Sequence, residues 1–186
     1  MKRQTHIDIS YKPSPHSFFN RVFRVLWGIV YLLFFRISPR PFHAWRRFIL
    51  RLFGADLGKN TKVHSSVKIW APWNLTMRDH STLAPDVDCY CAAPITIGSH
   101  TTVSQYSFLC AATHDFEHPN MLLTTAPITI GDQVWICADV FVAPGVIIDE
   151  GVVVGARSSV FTNLPCWTVC VGSPAKPIRD RRIREV

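Results

Sequence analysis

The sequence predicts a mainly β chain: a parallel β-helix of about five short coils, preceded by a helical segment and interrupted by one extended loop. Three observations predict it. Aliphatic residues recur every six positions at Ile130, Ile136, Val142, Ile148, Val154 and Val160. The hexapeptide Ala-Pro-Ile-Thr-Ile-Gly occurs at 93–98 and again at 126–131. Hydrophobic residues make up 48% of the 186 residues and charged residues only 18%, so the chain can bury a core and is not a disordered polyelectrolyte. A period of six fits neither a 3.6-residue helix nor simple alternation. It fits short strands joined by tight turns, each strand turning one aliphatic side chain inward. Three such strands close a triangular coil of roughly 18 residues.

Residues 1–54 form the basic, aromatic helical segment. Val25 to Phe35 is an uninterrupted apolar run of 11 residues. A membrane-spanning helix needs about 20, and Arg24 and Arg36 bracket this run, so a helix that does not span is expected. Ser38-Pro-Arg-Pro41 then breaks the chain, and a second helix is expected to start there with Pro41 in its first turn. Phe42, Trp45, Phe48, Ile49, Leu52 and Phe53 recur at helical spacing on one face, with Arg46, Arg47 and Arg51 off that stripe and Gly54 as the stop. Two readings stand for these helices. They cap one end of the β-helix, or their aromatic coat dips into a membrane interface.

Residues 55–165 form the β-helix. Leu57, Met77, Ile97, Ile130 and Ile148 occupy equivalent places, at spacings of 20, 20, 33 and 18. The first two spacings are one coil plus a two-residue bulge. The third exceeds a coil by 15 residues, which is not a multiple of six, so the excess must leave the helix as a loop at 113–127. A long excursion in an economical solenoid is where function is expected. It carries His114, Asp115, Glu117 and His118. Residues 166–186 form a basic C-terminal tail.

The formal net charge of +7 is unevenly spread. Residues 1–51 hold ten Lys/Arg against one acid; residues 52–175 hold five against ten; residues 176–186 hold five against two. The body is acidic, so the basic face of a nucleic-acid binder is absent and no nucleic-acid partner is expected. The basic and apolar N-terminus favours an anionic membrane surface or a phosphate-bearing ligand. The six cysteines lack the common zinc spacings and are too sparse for a stapled mini-fold, and no cleavable signal peptide is visible. They are expected to be reduced, buried thiols of a cytoplasmic protein.

The six-residue register, the loop opening Thr113-His114-Asp115 and the tail Gly172-Ser-Pro-Ala-Lys-Pro-Ile-Arg179 together resemble the hexapeptide-repeat acetyltransferases. The resemblance is greatest to the colanic-acid-biosynthesis type, related to maltose, galactoside and nodulation O-acetyltransferases. Ser38-Pro-Arg-Pro-Phe-His-Ala-Trp-Arg-Arg and Ile69-Trp-Ala-Pro-Trp-Asn-Leu share in it, and it spans residues 18–182. It implies a left-handed parallel β-helix, a homotrimer with active sites between subunits, acetyl-CoA as co-substrate with no tightly bound cofactor, and a sugar or glycolipid acceptor in exopolysaccharide or lipopolysaccharide synthesis. With the reduced thiols and the basic, apolar N-terminus, the expected location is the cytoplasm or, peripherally, the inner membrane face.

The same resemblance implies the site. His114 matches the catalytic base, with Asp115 or Glu117 to orient its imidazole. A sugar hydroxyl is a poor nucleophile at neutral pH, and a positioned histidine can take its proton and return it to the leaving thiolate. Trp135 and Ala138 match the coil that lines the pantetheine arm, and Ala156 a backbone contact to it. Thr162 stands where a Thr-Lys pair approaches CoA, with Asn163 in place of the lysine. Lys176 and Arg179 match basic residues near the CoA phosphates. Asp88 stands on the coil that meets the acceptor, and Cys91 takes a place where relatives carry Asn. His114 and His118, with His100 or His64, are weighed as metal ligands and set aside, because their register does not converge. Two competing functions stay open: an acyltransferase for amino-sugar nucleotides, and a non-catalytic trimeric membrane scaffold.

Overall fold

A computed structural model describes residues 6–10 and 16–184; residues 1–5, 11–15 and 185–186, parts of the basic N-terminal segment and tail, lie outside the described residues. The first helix, α1 (Phe18–Val30), starts from a Ser17 N-cap and continues through a π-helical turn at Tyr31–Phe35. The second, α2, is His43–Leu52. The strands follow in triplets. Coil one is β1 (Asp56–Leu57), β2 (Lys62–Val63) and β3 (Lys68–Ile69); coil two is β4 (Leu75–Met77), β5 (Thr82–Leu83) and β6 (Asp88–Tyr90). Coil three is β7 (Ile95–Ile97), β8 (Thr102–Val103) and β9 (Phe108–Cys110), after which β10 (Ala112–His114) and β11 (Leu123–Thr125) leave the stack. Coil four is β12 (Ile128–Ile130), β13 (Trp135–Ile136) and β14 (Phe141–Val142); coil five is β15 (Ile147–Ile148), β16 (Val153–Val154) and β17 (Ser159–Val160). A sixth turn begins with a Leu164–Ile148 bridge and ends in the antiparallel pair β18 (Thr168–Gly172) and β19 (Ala175–Asp180).

Stacking makes three flat faces. The first face runs β1-β4-β7-β12-β15, the second β2-β5-β8-β13-β16-β18-β19, and the third β3-β6-β9-β14-β17. The predicted equivalences hold: Leu57 pairs with Met77, Met77 with Ile97, Ile97 with Ile130 and Ile130 with Ile148. The two-residue bulge lies at the corner from third to first face, where Pro72–Asn74 makes a short 3₁₀ turn. Each strand of coils one to five turns one residue into the interior, or two in β4, β7 and β12, so columns of buried side chains run the length of the stack on all three faces. No coil could bury that stripe alone, so each depends on its neighbours.

Two of the corners between faces use backbone in the left-handed region, with one residue supplying it at each such turn. Asn60, His80, His100 and Gln133 do so between first and second face, and Asp86, Tyr106, Asp139 and Arg157 between second and third. Polar side chains with short reach tolerate this conformation best. Two of the eight histidines are thereby explained, and the rings of His80 and His100 stack at 4.9 Å.

The N-terminal helices are mounted differently from the expectation. Pro41 lies outside α2, because Phe42 is the cap and His43 the first helical residue. The side of α2 that meets the β-helix carries Arg46, Ile49 and Leu50, all buried, while Phe42, Trp45, Phe48 and Leu52 face outward. The reason is the open edge of coil one. Its strands have no preceding coil, so their outward carbonyls lack partners. Side-chain donors fill them on all three faces: Arg51 Nη2 donates to Leu57 O (2.6 Å), Arg46 Nε to Val63 O (2.6 Å), and Trp27 Nε1 of α1 to Ile69 O (2.7 Å). Arg47 adds a bond to Thr61 O at 2.8 Å. The arginines are needed inside, which leaves the aromatics outside.

All six cysteines are free thiols. Cys89, Cys91 and Cys170 are buried as expected, but Cys110 and Cys137 are only half-buried and Cys166 is exposed. The Cys91 thiol donates to Ala71 O (3.1 Å) and accepts from Ala71 N–H (3.2 Å), bridging coils one and two. That residue is structural, with no free surface to offer an acceptor.

Candidate active site

The excess residues after coil three form a β-ribbon. Ala112, Thr113 and His114 pair with Thr125, Thr124 and Leu123, and Asp115 N–H extends the ladder to Leu122 O at 2.9 Å. The ribbon leaves the prism at the corner from third to first face. Its tip is held by the N-terminal segment: Asp8 N–H donates to Pro119 O (2.9 Å) and Asn120 Nδ2 to Asp8 O (2.8 Å). The catalytic candidate, His114, is exposed at the tip end of the ribbon's ladder, with Nδ1 2.6 Å from Met121 O. A carbonyl only accepts, so Nδ1 carries a proton, and in the neutral ring Nε2 is the nitrogen with the free lone pair. The ring is oriented by that carbonyl, where Asp115 or Glu117 was expected. Asp115 Oδ1 instead accepts from the N–H groups of Glu117 (3.1 Å) and His118 (3.2 Å), which shapes the tip and so the register of the ribbon.

The residues expected on the donor side lie elsewhere on the prism. Trp135 is on β13 in the second face, half exposed, with Nε1 bonded to Ser104 Oγ at 3.0 Å. Ala138 and Ala156 stack on successive coils at the corner from second to third face, and Arg157 N–H donates to Ala138 O at 3.0 Å. Thr162 is exposed just after β17. Asn163 is structural, accepting from Ile147 N–H at 2.8 Å. Lys176 and Arg179 are exposed on β19, in the same face as Trp135 and three strands beyond it. At the usual strand spacing that is about 14 Å. Trp135, the alanine corner and the basic strand thus line one track, while His114 stands at another corner of the same chain.

Asp88 opens β6 on the third face, 3.7 Å from Lys68 Nζ, and burial raises its pKa above the usual carboxylate value. It lines a pocket with Arg24 and Gly28 of α1 and with Lys68, Trp70 and Tyr90. Sequence reasoning reached Asp88 but missed Arg24 and Trp70; Trp70 lies in the Ile69-Trp-Ala-Pro-Trp segment, whose two tryptophans beside a turn were the available signal. The histidines do not converge: His100 stacks on His80, His64 packs against His43, and His118 Nδ1 accepts from Asn120 N–H. Among the described residues no three His, Cys, Asp or Glu side chains form a group that could hold a metal ion.

The bacterial transferase hexapeptide family (six repeats) matches residues 127–162. Over 156 residues, 84% of this chain and 86% of the relative, the sequence is 49% identical to a protein of Escherichia coli (strain K12) named as the colanic acid biosynthesis acetyltransferase WcaF. The chain is a hexapeptide-repeat acetyltransferase. Galactoside O-acetyltransferase of Escherichia coli is 30% identical over 128 residues, covering 67% of this chain and 57% of that one. The crystal structure of a hexapeptide-repeat acetyltransferase of Vibrio cholerae, complexed with acetyl-CoA, superposes with a TM-score of 0.84 at 26% identity, over 91% of this chain and 93% of that one. The acetyltransferase fold is therefore the left-handed parallel β-helix expected of the sequence.

Proposed function

We propose that this acetyltransferase moves acetyl from acetyl-CoA to a sugar hydroxyl during exopolysaccharide or lipopolysaccharide synthesis, with His114 as general base. The observation that carries the proposal is the His114–Met121 bond, which holds a proton on Nδ1 and so makes Nε2 the basic nitrogen of the neutral ring on the inserted ribbon. Nε2 takes the hydroxyl proton as the sugar oxygen attacks the thioester carbonyl. The tetrahedral intermediate collapses with cleavage of the C–S bond, and the proton passes to the CoA thiolate. The named relatives and the acetyl-CoA complex of a structural neighbour support the donor and the pathway.

The donor track runs from Trp135 through the Ala138–Ala156 corner to Lys176 and Arg179. In a single chain His114 and that corner occupy different edges of the prism, so a neighbouring copy must bring the ribbon to the track; this supports the homotrimer. The assay is thiol release from acetyl-CoA with candidate sugars, the product read by mass spectrometry. Lys176→Ala with Arg179→Ala is expected to raise the apparent KM for acetyl-CoA about tenfold and leave kcat and the acceptor KM nearly unchanged, because a phosphate contact is common to ground and transition states. Equal weakening of both substrates would assign the tail to folding instead.

The enzyme is proposed to work in the cytoplasm, peripherally at the inner membrane face. Phe18–Phe35 is one continuous helical stretch of 18 residues, longer than the apolar run because Arg21 and Arg24 join it, and it is long and apolar enough to cross a membrane by length and composition. Trp27 and Phe35 are nevertheless packed into the core cluster, which lays the helix along the β-helix with Phe19, Phe23 and Leu33 outward. An outward apolar face of this kind suits an interface better than water. The protein is expected to float with vesicles containing anionic lipid, less at high salt as screening removes the arginine attraction. Phe48→Ser with Leu52→Ser, both exposed, should reduce the bound fraction without unfolding the chain. A protein that stays in the soluble fraction at low salt would reduce the helices to a cap.

A further inference from the structure

The pocket beneath α1, about 420 Å3, has no part in the proton transfer or the donor track. Its volume falls within the roughly 300–1,000 Å3 of small-molecule sites, and it shares their make-up of apolar walls with a few polar groups. Trp70 and Tyr90 form the aromatic wall, with ring centroids 5.5 Å apart and planes at 83°. Arg24 lies 4.3 Å over the Trp70 ring and is steered by a 3.0 Å bond from Nε to Asn20 Oδ1, which leaves its terminal nitrogens without a hydrogen-bond partner among the described residues. Lys68 lines the same pocket, its side chain 69% exposed. Two cations face one carboxylate, Asp88, so the pocket carries a net single positive charge.

Gly28 is the second, independent observation. It sits inside α1, where glycine costs about 1 kcal/mol relative to alanine. Its φ is not positive, and a Cβ there would meet nothing within 4 Å. Neither backbone conformation nor close packing therefore requires glycine. The space it leaves is the pocket.

The place is also telling. Asp88 and Tyr90 pair with Phe108 and Cys110 of β9, one strand spacing of about 4.8 Å away, and Cys110 is four residues before His114. We propose that this pocket binds a carboxylate-bearing sugar, a hexuronate or its equivalent, as the residue of the acceptor next to the one acetylated. A guanidinium and an ammonium hold the carboxylate, Asp88 and the Tyr90 phenol receive hydroxyls, and the aromatic wall covers the ring. One net positive charge matches one carboxylate. The word acceptor rests on the transferase reading above; the binding site itself does not.

The test is saturation-transfer NMR and calorimetry on the full chain without acetyl-CoA, using methyl β-D-glucuronide, methyl β-D-glucoside and glucose 1-phosphate. The glucuronide is expected to bind about tenfold or more tightly than the glucoside. Gly28→Leu should abolish that binding while thermal stability is kept or raised. Arg24→Gln and, independently, Lys68→Gln should bring the glucuronide towards the glucoside, with circular dichroism unchanged. Equal affinity for the two glycosides, or glucuronide binding that survives Gly28→Leu, overturns the proposal. Tighter binding of glucose 1-phosphate overturns the carboxylate assignment. Since binding is read apart from acetyl transfer, a protein that binds glucuronide but releases no thiol with any sugar would sink the transferase reading and keep the pocket, and the reverse result would sink the pocket alone.

Discussion

His114→Ala is expected to lower turnover by about 10²–10⁴-fold, the range for a positioned acid–base group. The side chain is exposed on a ribbon outside the core, and its one hydrogen bond is to the ribbon's own Met121 carbonyl. Its loss should leave assembly and thermal stability close to those of the parent. Acetyl-CoA affinity should also persist, because the donor track lies at another corner. The decisive measurement is single-turnover acetyl transfer at saturating donor and acceptor, alongside size-exclusion of the variant. Activity above about a tenth of the parent's would remove His114 from the role of base.

Arg46→Met is expected to cost roughly 3–5 kcal/mol of stability, because it strips several buried acceptors of their donor at once. The Arg46 side chain is fully buried and bonds Val63 O (2.6 Å), Ser38 Oγ (2.8 Å), Pro39 O (2.9 Å) and Arg40 O (2.6 Å). Methionine fills a similar volume, so the loss reads out hydrogen bonding more than packing. Arg46→Lys should rescue little, since an ammonium cannot span four acceptors as a planar fork does. The same cluster gives the fold a pH dependence. His43 lies 3.0 Å from Arg46, and burial holds the pKa values of His43 and His64 below the ordinary histidine value of 6.5. The unfolded chain therefore binds protons that the folded chain refuses. Stability is full above about pH 6.5 and falls as pH drops below it. Denaturant midpoints at pH 7.5 and 5.5 for the parent, Arg46→Met and His43→Gln measure both effects; a parent with equal midpoints would contradict the neutral histidines.

The β-helix was legible because its constraint is one-dimensional. Each coil repeats the same inward position, so Leu57, Met77, Ile97, Ile130 and Ile148 announce their alignment by interval alone, and 15 surplus residues announce the excursion. The ribbon's inner geometry was not legible: Asp115 beside His114 in sequence suggested a carboxylate–imidazole pair, but the β-ladder turns the ring towards the strand returning from the tip and Asp115 towards the tip itself. The helices show the same limit. Periodicity marks a stripe on α2 without saying which side is in. Three arginines against unfilled strand carbonyls outweigh an aromatic stripe, a term visible only once the edge of coil one exists. The pocket was half legible, through Asp88. Its other half comes from α1, about sixty residues earlier in the chain.

The three donors on coil one also set where the molecule stops. A stack of near-identical rungs is a template: its last open rung presents the same row of carbonyls and amides that every internal rung uses to seat the next, and a second chain could add there as readily as a rung of the first. Arg51, Arg46 and Trp27 occupy one growth point on each side of the triangle. A chain stripped of its helices would therefore be exposed to end-on propagation into fibres, and the basic, aromatic prefix is what keeps a repeating sequence finite.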